Sequence, residues 1–322
     1  MTYPKVSIII CTYNNKNLVK RCLDSIFSQN YKNLEVICVD GGSKDGTLEL
    51  LNEYKAKVIH NKKRFPEGPG MGKAQGVKKA KGEIIAFIDQ DNKLINENCL
   101  RELVFPLIND KEIFGVACKL YINKKDNITN RYLSYVGTDP FAVYRSLEGR
   151  IALDRIKLKD EGKYHTYNIN LENCLCTGGN VFLVRKNLLN KISGYVQDVE
   201  MIYSLCKLGI NKLAIPKNAY THHLTINSFT NFLKKRWKWA THYNTKNKYD
   251  RKYSWFPRTF KEFLIFSLFI ISNLTIILNL FDSLRKLIKT KDKAWLLHPV
   301  AMFLMTIMYG IIFILNFINH NS

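Results

Sequence analysis

Apolar positions in the first hundred residues switch repeatedly between two periods. Residues 6–10 form a continuous β-branched run, the pattern of a strand buried on both faces. Residues 17–29 place apolar side chains at 18, 19, 22, 23, 26 and 27, which is one stripe of a helix. A strand at 34–39, a Gly41-Gly42-Ser43 turn, a helix at 47–54 and a strand at 57–60 follow. Residues 65–72, with Pro66, Gly68, Pro69 and Gly70, read as a loop. A helix at 73–81 and a strand at 83–88 complete the series. This alternation predicts an α/β fold, a mostly parallel sheet with helices on both faces. Ligands of such sheets bind at the carboxyl ends of the strands, where Asp40, Asp89 and Asp91 fall.

The period is less regular further on. Residues 114–122 read as a strand. Residues 123–163 are polar, without a clear period, and suit a flexible loop over a site. A strand is predicted at 178–184, after Gly178-Gly179. A helix is predicted at 199–208, with Asp198 at its N-cap or first turn, and an extended segment at 218–224 carries His222 and His223. Two uncharged runs, 263–281 and 294–318, are each long enough to cross a hydrocarbon core of roughly 30 Å at about 1.5 Å per residue. The first holds Ser267, Ser272, Asn273, Thr275 and Asn279, and an interfacial or re-entrant helix is its alternative reading. The predicted organisation is therefore an α/β domain at 1–227, in two halves at 1–110 and 111–227. A basic, aromatic juxtamembrane segment occupies 228–262, and a membrane region with one or two transmembrane helices occupies 263–322.

Charge sharpens this division. The 322 residues carry a formal net charge of +22. Residues 228–293 hold 15 Lys/Arg against four acids, so half the excess flanks the apolar runs. Anionic lipid headgroups are the expected counter-charge, and nucleic acid is not expected, since no nucleic-acid-binding motif accompanies the charge. Lys234, Lys235, Arg236 and Lys238 interleave with Trp237 and Trp239, and Tyr253, Trp255 and Phe256 follow, a mixture that suits a membrane surface. The segment 282–293 is also basic. In a two-helix hairpin it would lie on the far side of the membrane, against the positive-inside rule. The eight cysteines show no paired C-x-x-C, and Cys174-Leu175-Cys176 is a lone C-x-C. No apolar signal region opens the chain. An integral membrane protein with its large domain in a reducing cytoplasm is the expectation.

Asp89-Gln90-Asp91-Asn92 closes the 83–88 strand. Two carboxylates one residue apart repel each other and are costly to desolvate; a divalent cation, Mn2+ or Mg2+, resolves both problems and can hold a diphosphate. The i, i+2 spacing puts both on one face if the strand extends that far.

Four stretches together, residues 6–14, 39–47, 80–92 and 197–200, resemble a family-2 glycosyltransferase of the GT-A fold, over about residues 5–223. The resemblance makes 1–227 a catalytic domain with a nucleotide-binding half at 1–110 and an acceptor-binding half at 111–227, and the C-terminal helices are similar to those of membrane-bound members. The resemblance implies that Asp40 recognises the base or ribose of a nucleotide, with Thr12 and Tyr13 lining the same pocket. It implies Asp91 as the direct metal ligand and Asp89 as a contact to ribose or metal-bound water. Asp198 would be the general base on the acceptor hydroxyl, with Gln197 standing where the family has Glu and Glu200 as rival. Lys73 stands near the place of a diphosphate-binding Arg, with Arg64 as alternative. Gly179 and Asn180 would border acceptor and donor sugar, and His222 or His223 would add a metal or phosphate contact. Asp45 reads as structural, capping the next helix.

The implied reaction is inverting, metal-dependent transfer from a nucleotide-sugar donor to a lipid-linked or cell-surface glycan acceptor at the cytoplasmic membrane face. A polyprenyl-phosphate monosaccharide synthase is the alternative within the class. A sugar nucleotidyltransferase would carry a G-x-G-x-R turn where this chain has Cys11-Thr-Tyr-Asn-Asn15. A non-catalytic membrane-bound binding module would have no need of the four aspartates.

Overall fold

The computed structural model describes the chain except residues 1–2, 62–63, 138, 142–146, 172–179, 196, 225, 247–251, 254–256, 258 and 322. Two compact units result. Unit 1 comprises Met1–Tyr121 and Lys157–Leu224, and unit 2 comprises Ile122–Ile156 and Thr225–Ser322. Residues 122–156, expected in the acceptor-binding half, thus group with the C-terminal segment.

Unit 1 is built on a nine-stranded sheet. Its first strands are β1 (Val6–Thr12), β2 (Leu34–Asp40), β3 (Lys57–His60) and β4 (Ile84–Ile88), all parallel in the order β3-β2-β1-β4. The sheet is mixed rather than mostly parallel. Strand β10 (Val181–Arg185) runs antiparallel between β4 and β6 (Ile113–Ala117), and β11 (Lys212–Pro216), β9 (Tyr164–Asn168) and β8 (Lys159–Asp160) extend the far edge. A second, three-stranded sheet joins β5 (Asn92–Leu94), β12 (Tyr220–His223) and β7 (Lys119–Leu120). The predicted strand at 114–122 is divided between β6 and β7.

Helices cover both faces. Alternate residues of β1 (Val6, Ile8, Ile10) meet α1 (Lys16–Phe27), α2 (Thr47–Glu53) and α4 (Cys99–Asn109) in one core. The opposite face takes α3 (Arg64–Lys79), one helix that includes the predicted loop. Pro66 falls in the first turn, where a missing N–H leaves nothing unsatisfied. The glycines serve close packing: a Cβ on Gly76 would meet Ile9 Cγ2 at 2.5 Å, and one on Gly72 would meet Cys11 Sγ at 2.8 Å. At Gly72 and Gly76 the absence of a side chain makes a smooth helix face. α7 (Lys186–Lys191) and α8 (Asp198–Lys207) complete this unit.

Unit 2 is helical, and residues 123–163 are not one loop. They contain α5 (Ile128–Val136), capped by the Asn127 side chain accepting from the Asn130 amide, and α6 (Leu147–Ala152). Tyr132, Leu133, Phe232, Trp295 and Met305 share a core, which joins α5 to α9 (Phe229–Lys246), the 3-10 turn Lys293–Leu296 and α12 (Leu297–Asn321). The apolar run 263–281 is broken. α10 (Phe260–Thr275) and α11 (Ile277–Thr290) meet at 75°. Ile276 at the break has φ 65°, an unusual region for a β-branched residue. Asn279 donates to Asn273 Oδ1 and Asn273 to Thr306 Oγ1, each at 3.0 Å, so the polar residues inside the run brace the bend against α12. Among the described residues one single helix, Lys293–Leu315, is long and apolar enough to cross a membrane. Cys174, Cys176, Trp255 and Phe256 lie outside the described residues.

Candidate active site

The carboxyl ends of β1, β2 and β4 gather the predicted residues. Strand β4 stops at Ile88, and Asn92 N–H donates to the Asp89 carbonyl at 3.0 Å. Asp89–Asn92 is therefore a turn, and strand alternation does not apply to it. Its two carboxylates diverge. Asp89 Oδ1 faces Lys73 Nζ at 3.2 Å, whereas Asp91 Oδ2 faces His223 Nε2 at 3.1 Å. The Gln90 side chain between them accepts from the Tyr13 amide at 3.0 Å, tying the turn to the end of β1.

Lys73 is the centre of the site. Its side chain is 3 % exposed and bridges Asp89 to Asp198, with Asp198 Oδ2 at 3.1 Å and the Phe87 ring beneath it. Burial opposes its charge, but the Asp198 and Asp89 carboxylates outweigh that and raise its pKa above the ordinary lysine value. Instead of standing open to a diphosphate, it is enclosed by two acids. Asp198 lies in the first turn of α8, where the helix dipole favours an anion. Tyr195 Oη donates to Asp198 Oδ1 at 2.5 Å, with its ring 4.6 Å from that of Phe87. Glu200, the rival base, is 5 % exposed, against 27 % for the Asp198 side chain.

Asp89 has its carboxyl pushed up to about 6, first by desolvation and further by Asp91 and Asp198, with Lys73 opposing. An ordinary aspartate titrates near 4. Between those values the folded chain holds a proton that the unfolded chain has released, so this group's contribution makes stability fall as pH rises through that window. A divalent cation in the site relieves that cost only once Asp89 is ionised. Added Mn2+ is thus expected to raise the melting temperature of the purified protein at pH 7 and far less at pH 5. Equal stabilisation at both pH values would remove Asp89 from the metal's field.

Asp40 is fully buried. Its Oδ1 accepts from the Gly42 and Ser43 amides, each at 2.8 Å, and its Oδ2 from Thr12 Oγ1 at 2.9 Å and Ser43 Oγ at 2.6 Å. It organises the turn after β2, and a nucleoside would have to exchange with one of these donors. Asp45 accepts from the Lys16 amide and the Thr47 hydroxyl, the structural role expected of it. Asn180 is buried, and its carbonyl accepts from the Asp89 amide at 3.0 Å. Gly179 and the Arg64 side chain lie outside the described residues.

The two histidines separate because β12 is a strand. His223 faces Asp91, whereas His222 Nδ1 lies 2.6 Å from Arg21, which also donates to the Asp91 carbonyl at 3.3 Å. The structure therefore brings His223, and not His222, to the acidic turn. Tyr195 and Arg21 had no place in the sequence reading. The three-residue step from Tyr195 to Asp198 was the one available signal.

Among the described residues no three acid, His or Cys side chains stand close enough together to form a protein-only metal centre. Asp91 and His223 fit a cation that takes its remaining ligands from a diphosphate and water. The mixed oxygen and nitrogen donors favour Mn2+ over Mg2+.

The mixed sheet with its acidic turn defines the GT-A glycosyltransferase fold. Residues 7–189 match the model of glycosyl transferase family 2, and the chain belongs to that family. It is similar to a poly(ribitol-phosphate) beta-glucosyltransferase of Bacillus spizizenii, 38% identical over 34% of this chain and 18% of that protein. It is also similar to the UDP-Glc:alpha-D-GlcNAc-diphosphoundecaprenol beta-1,3-glucosyltransferase WfaP of Escherichia coli, 32% identical over 40% of this chain and 51% of that one. The match to the GalNAc(5)-diNAcBac-PP-undecaprenol beta-1,3-glucosyltransferase of Campylobacter jejuni is 26% identical and covers 69% and 71%. The chain thus spans from under a fifth to about half the length of the first two relatives. The mannosyltransferase PcManGT of Pyrobaculum calidifontis, solved with GDP-Man and Mn2+, shares the fold at TM-score 0.50 and 17% identity, over 94% of this chain and 88% of that one.

Proposed function

We propose that this glycosyltransferase moves a sugar, with inversion, from a nucleotide-sugar donor to a lipid-linked or surface-glycan acceptor at the cytoplasmic face of a membrane. The observation that carries this reading is the pairing of two clusters at the strand ends, Asp91–His223 and Asp89–Lys73–Asp198. The names of the undecaprenol-linked relatives support the acceptor class.

A metal at Asp91 and His223 supplies charge neutralisation for the departing nucleoside diphosphate. The chain's own residues do the rest. The turn after β2, built on Asp40, borders the nucleoside with Thr12 and Tyr13. Asp198 takes the proton of the acceptor hydroxyl as the acceptor oxygen bonds to the anomeric carbon and the carbon–phosphate-oxygen bond breaks. Tyr195 holds one carboxylate oxygen in place, and Lys73 fixes Asp198 against Asp89 while balancing their charge.

The test is a panel of nucleotide sugars with the purified, detergent-solubilised chain and Mn2+, reading nucleoside diphosphate release. One donor is expected to be used, and Asp91→Ala, folded by circular dichroism, is expected to lose that activity. Full activity of Asp91→Ala, or of the wild type in thorough chelator, would falsify the metal role. A mild-acid-labile product would move the reading to a polyprenyl-phosphate monosaccharide synthase.

A further inference from the structure

We propose that unit 2 docks on one leaflet of a membrane with anionic headgroups, with α11 lying in the interface rather than crossing it. This deepens the membrane-face reading above and rests on it. Four observations carry it.

First, α11 is two-faced. Ile277, Phe281, Leu284 and Ile288 are exposed at helical spacing, whereas Asp282, Ser283 and Lys286 are buried on the other side. Lys286 Nζ pairs with Asp154 at 2.8 Å. A spanning helix would carry these charges through hydrocarbon; an in-plane helix keeps them on the protein. Second, α10 has 16 residues, about 24 Å, short of a core of roughly 30 Å, and it ends in the 75° bend.

Third, ion pairs fix the side on which α11 lies. Asp282 pairs with Arg155 at 2.5 Å, and Asp292 in the turn after α11 pairs with Arg131 at 3.1 Å. Arg131 and Arg155 belong to the segment Ile122–Ile156, which continues by peptide bonds into unit 1 at both ends. That segment is polar and cannot cross, so α11 and its following turn stay on the catalytic side. The basic stretch 282–293 then obeys the positive-inside rule, which a spanning hairpin would break. Fourth, the first half of α12 belongs to the core of unit 2. Ala301 and Met305 are fully buried, and Tyr309 stacks edge-on to Phe141 at 4.8 Å.

The exposed apolar side chains of α10, α11 and the end of α12 want hydrocarbon. Lys261, Lys291 and Lys293, all exposed around them, want anionic headgroups. That charge complementarity selects a lipid surface over a second copy of the same basic chain.

The test uses the full chain and vesicles of phosphatidylcholine with or without phosphatidylglycerol. Wild type is expected to float with the anionic vesicles. The double variant Phe281→Glu with Ile288→Glu, at positions 67% and 77% exposed, is expected to bind about 100-fold more weakly at an unchanged melting temperature. Its acceptor-independent donor hydrolysis is expected to equal wild type, which separates failure here from failure of the glycosyltransferase reading. Unchanged vesicle binding by the variant, or loss of a dimer in place of vesicle binding, would each overturn the proposal.

Discussion

Lys73→Met is expected to leave a folded chain with transfer reduced at least about 100-fold, the scale of losing one preorganised electrostatic group. Its side chain is enclosed by Asp89, Asp198 and Phe87. Without the ammonium, two carboxylates that each lay near 3 Å from it face one another uncompensated. One of them then holds its proton near neutral pH, and the charge pattern of the site is lost. Removing one partner of a fully buried pair costs about 3–5 kcal/mol. Both acids here are partly exposed, so solvent screening lowers the expected cost to about 1–2 kcal/mol. A urea titration reads this shift, and steady-state kinetics read the activity. Lys73→Arg is not expected to rescue, because a planar guanidinium does not fit a point-charge site over the Phe87 ring. Wild-type kinetics in Lys73→Met would strip the cluster of its role.

Asp198→Asn is expected to lower kcat by about 10²–10⁴ while leaving KM for the donor nearly unchanged, the signature of a lost general base. The amide keeps the size and the contact to Tyr195 but cannot take a proton. Tyr195→Phe, which removes only the hydroxyl on Asp198, is expected to reduce kcat by about tenfold, on the scale of one charge-assisted hydrogen bond. Stopped-flow assays of nucleoside diphosphate release check both. Retention of full kcat in Asp198→Asn would mean that the attacking group is already ionised, as a lipid phosphate is, and would dismiss Asp198 as base.

Much of unit 1 was legible because buried parallel strands announce themselves. β1, β2 and β4 lie within two residues of their expected bounds, and β3 matches them. Strand β10 was found, but its direction was not, since an apolar run carries no sign of antiparallel pairing. α3 was half missed because glycine has two uses, as hinge and as contact surface, and composition does not distinguish them. Within the site, Asp89 and Asp198 meet across Lys73, whereas Asp91 turns away to His223. The role of Lys73 was hidden because its partners lie 16 and 125 residues away in sequence. In the tail, length and hydropathy registered the apolar runs but not the break at Ile276, which depends on amide contacts between helices.

Strand β12 adds a different kind of constraint. It runs antiparallel to β5, which begins at the last residue of the acidic turn, so His223 stands opposite Asn92 and His222 opposite Lys93. Which imidazole meets Asp91 is therefore a matter of odd and even positions along a three-residue ladder. A slip of one place would swap a histidine for a histidine while moving Arg21's partner into the site. The doublet makes such a slip invisible to composition, so the fidelity of this corner rests on main-chain pairing rather than on residue identity.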